Sequence, residues 1–193
     1  MIVLGIDTSC GTCSAALYNG NLLAENVITE IHKQAALTPS LIEKTLKDAN
    51  LQTNDIDVIA VTNGPGSFTG IRIGISLAQG FASVIGKPIL GLTTLEAVAY
   101  GTTGEAIVVI DAGKSEVYYQ VFNDGLAVSE ISLKPVSEIT EQNVIGVFKE
   151  RKEYPFASKV AALAFQKLSD KSFKIPEIKP LYIREPDAVV KLS

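Results

Sequence analysis

The chain has 193 residues, of which 47% are hydrophobic, so it can bury a core as one large domain or two small ones. Its formal net charge of −4 and pI of about 5.1 exclude a strongly basic protein that binds nucleic acid by itself, because phosphate neutralisation dominates that affinity. No segment approaches the ~18 uninterrupted apolar residues of a membrane span. Residues 1–7 lack the basic region of a signal peptide, and we therefore expect a cytoplasmic globular protein.

Three short strands are predicted at the N-terminus. Residues 2–7, 13–18 and 22–28 are rich in apolar and β-branched side chains, and Asn19-Gly20 between the last two is a strong hairpin signal. The sequence therefore predicts an antiparallel meander that places Asp7 at the end of its first strand.

Cys10 and Cys13 are the two cysteines of the chain and have the Cys-x-x-Cys spacing of redox or zinc sites. A redox pair requires its first thiol at a helix N-terminus, but a strand follows Cys13. A zinc site requires about four ligands, and the single histidine, His32, is distant in sequence. We therefore interpret both cysteines as turn residues and predict no metal site.

A helix is predicted after His32, where the apolar residues recur with helical spacing and charged residues occupy the opposite face. Pro39 is expected within its first turn, since proline fits there without losing a hydrogen bond. A buried strand at residues 57–62 then leads into the stretch Asn63-Gly-Pro-Gly-Ser-Phe-Thr-Gly-Ile-Arg-Ile-Gly74.

This glycine-rich loop precedes a helix, with Ser67 or Thr69 as its cap. Free amides and the helix dipole make such a loop a candidate phosphate site, although a tight connection without a ligand explains it equally simply. The candidate phosphate residues are Asp7, Gly64, Gly66, Ser67, Thr69 and Gly70.

The helix after the loop, predicted from about Arg72 to Ile85, has small residues at every fourth position: Gly70, Gly74, Ala78, Ala82 and Gly86. Such a stripe lets another helix or sheet approach closely. It fits either packing within the monomer or contact with another subunit.

The second half of the chain resembles the first in the order of its signals. A strand at 107–111 again ends in Ile-Asp, a second strand follows at 116–122, and Asn123-Asp124-Gly125 corresponds to the hairpin Asn19-Gly20. A strand at 144–148 and a helix at 156–168 are predicted, followed by an ordered but irregular tail. We infer an internal duplication, with units at residues 1–102 and 103–193.

A duplicated β-β-β-α-β-α-β-α unit with an aspartate after each first strand resembles the actin, hexokinase and Hsp70 ATPase fold. In that fold the two aspartate-tipped hairpins face a cleft and handle metal-bound phosphates. Here Gly146 is the only glycine after Gly125, so the usual adenosine-binding loop is absent and the second half is shortened. Autonomous ATP hydrolysis is therefore not expected.

Within that superfamily the chain resembles the TsaB (YeaZ) family, the paralogues and partners of TsaD in tRNA threonylcarbamoyladenosine biosynthesis. The resemblance rests on motifs along the whole chain: Ile6-Asp7-Thr8, Gly64 to Gly74, Thr93-Thr94-Leu95-Glu96, Ile110-Asp111-Ala112 with Glu116-Val117-Tyr118, and Pro180-Leu181-Tyr182-Ile183-Arg184.

The resemblance implies a non-catalytic subunit that supports TsaD, TsaE and the threonylcarbamoyl-AMP synthase in modifying the adenosine beside the tRNA anticodon. TsaD binds its metal through two histidines, and a chain with one histidine cannot form that site. The resemblance also implies a heterodimer with TsaD, contact with TsaE through the complex, a homodimer and only indirect contact with tRNA. ATP or ADP and metal are then expected in the partners or at their interface.

TsaB-like proteins pair through the helices of their first half. The resemblance therefore points to Leu37, Leu41, Thr45, Arg72, Gly74, Ala78 and Ala82 as the partner interface. On this interpretation Ala78→Glu abolishes association without unfolding the monomer.

Two other functions remain open from the sequence. A small-molecule kinase or ATPase would use Asp7 and Asp111 for magnesium and the glycine loop for phosphate. A peptidase has little support, because Ser67 has neither a recognisable base nor a Gly-x-Ser-x-Gly context and is more simply a helix cap.

Overall fold

The structure is a computed structural model that describes residues 1–29, 34–140 and 143–184. His32 lies outside the described residues. Two mixed β-sheets lie side by side, and helices cover both faces of the first.

The first sheet has the strand order β3-β2-β1-β4-β5. Its strands are β1 (Val3–Asp7), β2 (Cys13–Tyr18), β3 (Leu22–Ile28), β4 (Val58–Thr62) and β5 (Ile89–Leu92). Strands β1 to β3 form the predicted antiparallel meander, and β4 and β5 continue the sheet in parallel to β1. All residues of β1 and β4 are buried, as their apolar composition predicts for central strands.

Four α-helices are present among the described residues: α1 (Gln34–Asp48), α2 (Phe68–Ile85), α3 (Thr94–Ala99) and α4 (Ala157–Ser169). Helix α2 begins four residues before the predicted Arg72, because the Ser67 hydroxyl accepts the Gly70 amide at 3.2 Å and caps the helix. The prediction for Pro39 is wrong, since it lies inside α1 beyond the first turn. The burial of Leu41, Ile42 and Leu46 in the core stabilises α1 despite the lost hydrogen bond.

The second sheet repeats the topology of the first. It contains β6 (Glu105–Gly113), β7 (Glu116–Asn123), β8 (Leu126–Ala127), β9 (Ser132–Pro135), β10 (Val144–Phe148) and β11 (Arg151–Lys152). Strand β7 is antiparallel to β6 and pairs with β9, just as β2 is antiparallel to β1 and pairs with β3. Strand β10 is parallel to β6, just as β4 is parallel to β1.

The second half is shorter than the first, as the sequence predicts. Its described residues have no α-helix between β9 and β10. Strand β11 forms an antiparallel hairpin with β10, whereas in the first unit helix α2 connects β4 to the parallel strand β5. The fold class is therefore the predicted duplicated, actin-like α/β fold with a reduced second unit.

The small-residue stripe of α2 lies against the first sheet. Gly70, Gly74, Ala78 and Ala82 are buried, and a methyl group added at Gly70 would overlap the Thr8 carbonyl oxygen. One added at Gly74 would lie 2.5 Å from the Thr8 hydroxyl oxygen. The stripe therefore serves close packing within the monomer, the first of the two alternatives that the sequence allows.

Helix α4 packs on the opposite face of the first sheet from α2, although it comes from the second half of the sequence. Val160 and Ala161 join Val3 and Val58 in one buried cluster. The division at residues 102 and 103 matches the change of sheets and stays a prediction, but α4 belongs to the first unit by packing.

Helix α2 also reaches the length and composition of a membrane span, with 18 residues and a mean hydropathy of 1.3. The sequence-based statement concerns ~18 uninterrupted apolar residues, and it holds for α2, which contains Arg72, Ser76 and Gln79. One face of α2 packs in the core of the first sheet, and this is the ordinary behaviour of an apolar helix in a globular fold.

We predict that Ala78→Glu unfolds or strongly destabilises the monomer, contrary to the expectation from sequence. Ala78 is fully buried, so a carboxylate there would lack both space and partners, and the free energy of unfolding should fall by at least ~3 kcal/mol. Chemical denaturation measures this change. The exposed neighbour gives the control, Gln79→Glu, which should stay within ~0.5 kcal/mol of the parent. Equal stability of both variants would contradict the packing described here.

Candidate functional site

A cleft lies between the two sheets at the ends of β1 and β6. It encloses a cavity of about 500 Å³. The first sheet contributes the β1–β2 turn and the glycine loop, and the second contributes the β6–β7 hairpin; the cavity-lining residues include Ser9, Cys10, Gly66, Ser67, Phe68 and Asp111. The two hairpins thus face each other, as expected for an actin-like fold.

Asp7 lies behind this cavity and is fully buried. Its Oδ1 atom accepts three hydrogen bonds, from the Ser9 amide at 3.1 Å, the Ser9 hydroxyl at 2.6 Å and the Thr62 hydroxyl at 2.7 Å. Its Oδ2 atom is buried without a partner. The Asp7 carboxyl group therefore connects the β1–β2 turn to the end of β4 through hydrogen bonds.

Burial raises the pKa of Asp7 from its ordinary value of 3.8 to about 6, although the hydrogen bonds from Ser9 and Thr62 act in the opposite direction. Asp7 does not line the cavity, and its partners are groups of the chain itself. The magnesium role that the kinase hypothesis gives to Asp7 stays a prediction. Asp111, by contrast, is exposed in the cleft and accepts the Gly113 amide at 2.7 Å.

The structure separates the predicted phosphate residues. Gly66 and Ser67 line the cavity, and Thr69 is exposed. Gly64 is buried, with the Leu181 carbonyl oxygen 2.6 Å from the position of an added methyl group. Gly70 packs against Thr8, so both buried glycines allow close approach between segments of the chain.

Part of the hydrogen-bonding capacity of this loop is also used within the chain. The Ser67 amide donates to the Ser9 carbonyl at 2.8 Å, and the Gly70 amide donates to the Ser67 hydroxyl. The two cysteines are free thiols, and the described residues contain no group of three or more potential metal ligands among His, Cys, Asp and Glu.

The C-terminal tail contacts the glycine loop, which sequence reasoning did not anticipate. The Leu181 amide donates to the Asn63 carbonyl at 2.7 Å, and the Asn63 side chain donates to the Lys179 carbonyl at 3.0 Å. The tail has no regular secondary structure as far as residue 184, in agreement with the prediction of an ordered but irregular segment.

The residues predicted as the partner interface do not share one surface. Leu41, Thr45, Gly74, Ala78 and Ala82 are buried in the monomer, so no partner can touch their side chains in this conformation. Arg72 is exposed and Leu37 is half-buried. The assignment of a partner face to these helices stays a prediction.

The outward side of α2 carries a second set of small and apolar residues, which the sequence reasoning missed. These residues are Ile73, Ser76, Leu77, Gly80 and Val84. They have helical spacing, as the inner stripe does, so periodicity alone identifies both faces and does not tell which is buried. Ile73, Ser76 and Leu77 form the wall of a shallow groove together with Ala35 of α1.

Comparison with solved structures identifies the same fold. A crystal structure from Pseudomonas aeruginosa, described as an uncharacterized protein with similarity to peptidase YeaZ, superposes with a TM-score of 0.80. The two chains are 22% identical, and the match covers 95% of this chain and 99% of that one. The protein is therefore of the YeaZ fold.

Comparison of sequences identifies the family. The family described as TsaD, tRNA N6-adenosine threonylcarbamoyltransferase, matches residues 22–184, and the chain belongs to this family.

Two relatives show how far the similarity extends. An uncharacterized protein of Mycobacterium tuberculosis is 29% identical over 200 aligned positions, which cover 96% of this chain and 93% of that protein. The tRNA threonylcarbamoyladenosine biosynthesis protein TsaB of Escherichia coli is 35% identical over 125 residues, or 62% of this chain. This second match spans about half (54%) of the E. coli protein.

We predict that Asp7→Asn removes a pH dependence of stability between pH 4 and 6. Because the folded state raises the pKa of Asp7, it holds the proton more tightly than the unfolded state, and stability is lost as pH rises through this window. A shift of about two pKa units corresponds to ~3 kcal/mol. The asparagine oxygen can still accept hydrogen bonds from Ser9 and Thr62. The free energy of unfolding of the variant, relative to that of the parent, should therefore rise by this amount as the pH increases from 4 to 7.

Urea unfolding of both proteins at a series of pH values measures this difference. The control is Asp111→Asn, which removes an exposed carboxylate. A constant difference for Asp7→Asn would mean that the carboxyl group titrates normally, contrary to this account.

Proposed function

We propose that this chain is a non-catalytic subunit that binds a TsaD-type transferase and supports threonylcarbamoylation of the adenosine beside the tRNA anticodon. The similarity to E. coli TsaB and the family membership support the pathway. The single histidine favours a non-catalytic role, since a metal site that needs two histidines cannot form in this chain. The protein is cytoplasmic on this proposal.

The observation that carries the binding role is Gly80 in the middle of α2. A methyl group added there would meet no atom within 4 Å, so the monomer has no steric need for glycine at this position. Glycine inside a helix costs ~1 kcal/mol relative to alanine. A partner that approaches the helix backbone closely accounts for a residue that the monomer alone does not require.

The surroundings of Gly80 support the same interpretation. Val84, one turn away, is 85% exposed, and Leu77 and Phe81 line an apolar hollow with Pro39 of α1. Contiguous apolar surface around small residues is typical of a protein interface. The outward side of α1 and α2, defined by Ala35, Pro39, Ile73, Ser76, Leu77, Gly80 and Val84, is therefore our proposed partner face.

The transferase subunit is the proposed occupant of the partner face, and a second copy of this chain is the proposed occupant in its absence. TsaE then associates through the complex, and tRNA reaches this chain only through the other subunits, in keeping with the net charge of −4. No cofactor is required by this chain itself, and ATP or ADP and metal belong to the partners or their interface.

We predict that Gly80→Arg weakens binding of the transferase at least ~30-fold while the monomer becomes no less stable. The bulky cation blocks close approach, and loss of a central contact of this kind costs ~2 kcal/mol or more. Gly80→Ala should raise monomer stability by ~0.5–1 kcal/mol through helix propensity. Sizing chromatography and calorimetric titration with the cognate transferase measure both effects.

The control is Gln166→Arg, an exposed residue of α4 on the opposite face of the first sheet. It should bind as the parent does. Threonylcarbamoylation reconstituted with each variant completes the test: modification should need this chain and fall with Gly80→Arg. If Gly80→Arg binds and supports modification fully, the partner face is wrong; if the parent neither binds nor supports modification, the proposed function is wrong.

A further inference from the structure

Residues 181–184 run from the first sheet to the second, and the two ends of this segment contact residues on opposite sides of the cavity, Phe68 and Gly113. On the side of the first sheet, Tyr182 contacts the start of α2. The Arg72 Nε atom donates to the Tyr182 hydroxyl at 2.8 Å, and the Tyr182 and Phe68 ring centroids lie 5.3 Å apart.

The same arginine strengthens this attachment by stacking. The Arg72 guanidinium carbon lies 3.7 Å from the centroid of the Phe68 ring, within the range of a cation–π contact. Phe68 in turn lines the cavity. Tyr182, the first anchor of the segment, therefore contacts a residue of the cavity wall.

On the side of the second sheet, Arg184 contacts the β6–β7 hairpin. Its guanidinium forms an ion pair with Glu116 and lies 3.4 Å from the Gly113 carbonyl oxygen. The Arg184 and Glu116 side chains are 20% and 34% exposed, so the pair is only partly screened by solvent. Gly113 lines the cavity from the opposite rim to Phe68.

Ile183, between the two anchors, packs against the buried cluster of the second sheet that contains Val108 and Ile110. Successive residues of one short segment thus bind the first sheet, the core of the second sheet and the hairpin at its edge. A segment without regular structure has few internal hydrogen bonds, so these contacts fix its course.

We propose that residues 181–184 form an interlobe strap that holds the two rims of the cleft at a fixed separation. Tyr182 and Arg184 are its anchors, and loss of either anchor lets the cleft open more often. The strap also fixes Arg72, which lines the groove on the outward side of α2, so it defines the end of that surface. The strap is made of residues of this chain alone and does not depend on a partner.

Cys10 provides a native probe of cleft opening. Its thiol is half-buried and lines the cavity, whereas Cys13 is buried in β2. Burial, with a smaller contribution from the charge of Asp7, raises the pKa of the Cys10 thiol, so its reaction with N-ethylmaleimide at fixed pH should be slow in the closed cleft. Peptide mass spectrometry follows the modification of each cysteine separately.

The test compares Arg184→Gln and Tyr182→Phe with Lys179→Gln in the full chain. The first removes the charge paired with Glu116, and the second removes the hydroxyl bound by Arg72 and keeps the ring. Lys179 is an exposed tail residue whose ion pair with Glu177 is local, so its variant is the matched control. Each anchor variant should raise the Cys10 modification rate roughly fivefold, as expected for loss of a partly exposed pair.

The result expected is faster modification of Cys10 in both anchor variants, with Cys13 and Lys179→Gln unchanged. The exchanged pair Arg184→Glu with Glu116→Arg should then restore the slow rate. An unchanged Cys10 rate in the double variant of Tyr182 and Arg184 overturns the strap. A parallel rise at Cys13 also overturns it, because the tail would then stabilise the whole fold and not the separation of the lobes.

Discussion

The close approach of α2 to the β1–β2 turn is the constraint on which the rest of the structure depends. The Thr8 hydroxyl donates to the Gly70 carbonyl at 2.6 Å. The Thr8 backbone fills the space that a side chain at Gly70 would need, and the Thr8 side chain fills that space at Gly74. This contact fixes the direction of the helix and the course of the glycine loop before it. It also buries the inner small-residue stripe of α2 within the monomer, so only the outward side of the helix is accessible to a partner.

The buried carboxyl group of Asp7 supports the same arrangement from within. Its three hydrogen bonds connect the β1–β2 turn with the end of β4. The glycine loop and α2 follow β4, and α2 contacts the same turn through Thr8. Here Asp7 stabilises the turn, and the residue that reaches the cleft in the equivalent position of the second unit, Asp111, is exposed. The two hairpins thus place one buried and one exposed aspartate at the ends of β1 and β6.

Much of the fold is predictable from sequence because it depends on local patterns. Apolar periodicity predicts the strands that end at Asp7, Tyr18 and Thr62, and turn residues predict the hairpin at Asn19-Gly20. The recurrence of these signals in the second half predicts the duplication. The burial of Ala78 does not follow, because both sides of α2 have small residues with helical spacing and only the tertiary structure decides which side packs inward. The contacts of Tyr182 and Arg184 join residues about 70 to 110 positions apart, and no local pattern indicates them.

The central claim is that the outward side of α2 contacts the transferase, and site-specific photo-crosslinking tests it most directly. A photoreactive amino acid placed at Ser76 or Val84, both exposed, would be irradiated in the complex with the cognate transferase, with Gln166 on the opposite side of the sheet as the reference position. The account predicts crosslinks to the transferase from Ser76 and Val84 and none from Gln166. Crosslinks from Gln166 alone would contradict it and place the interface on the α4 side of the first sheet.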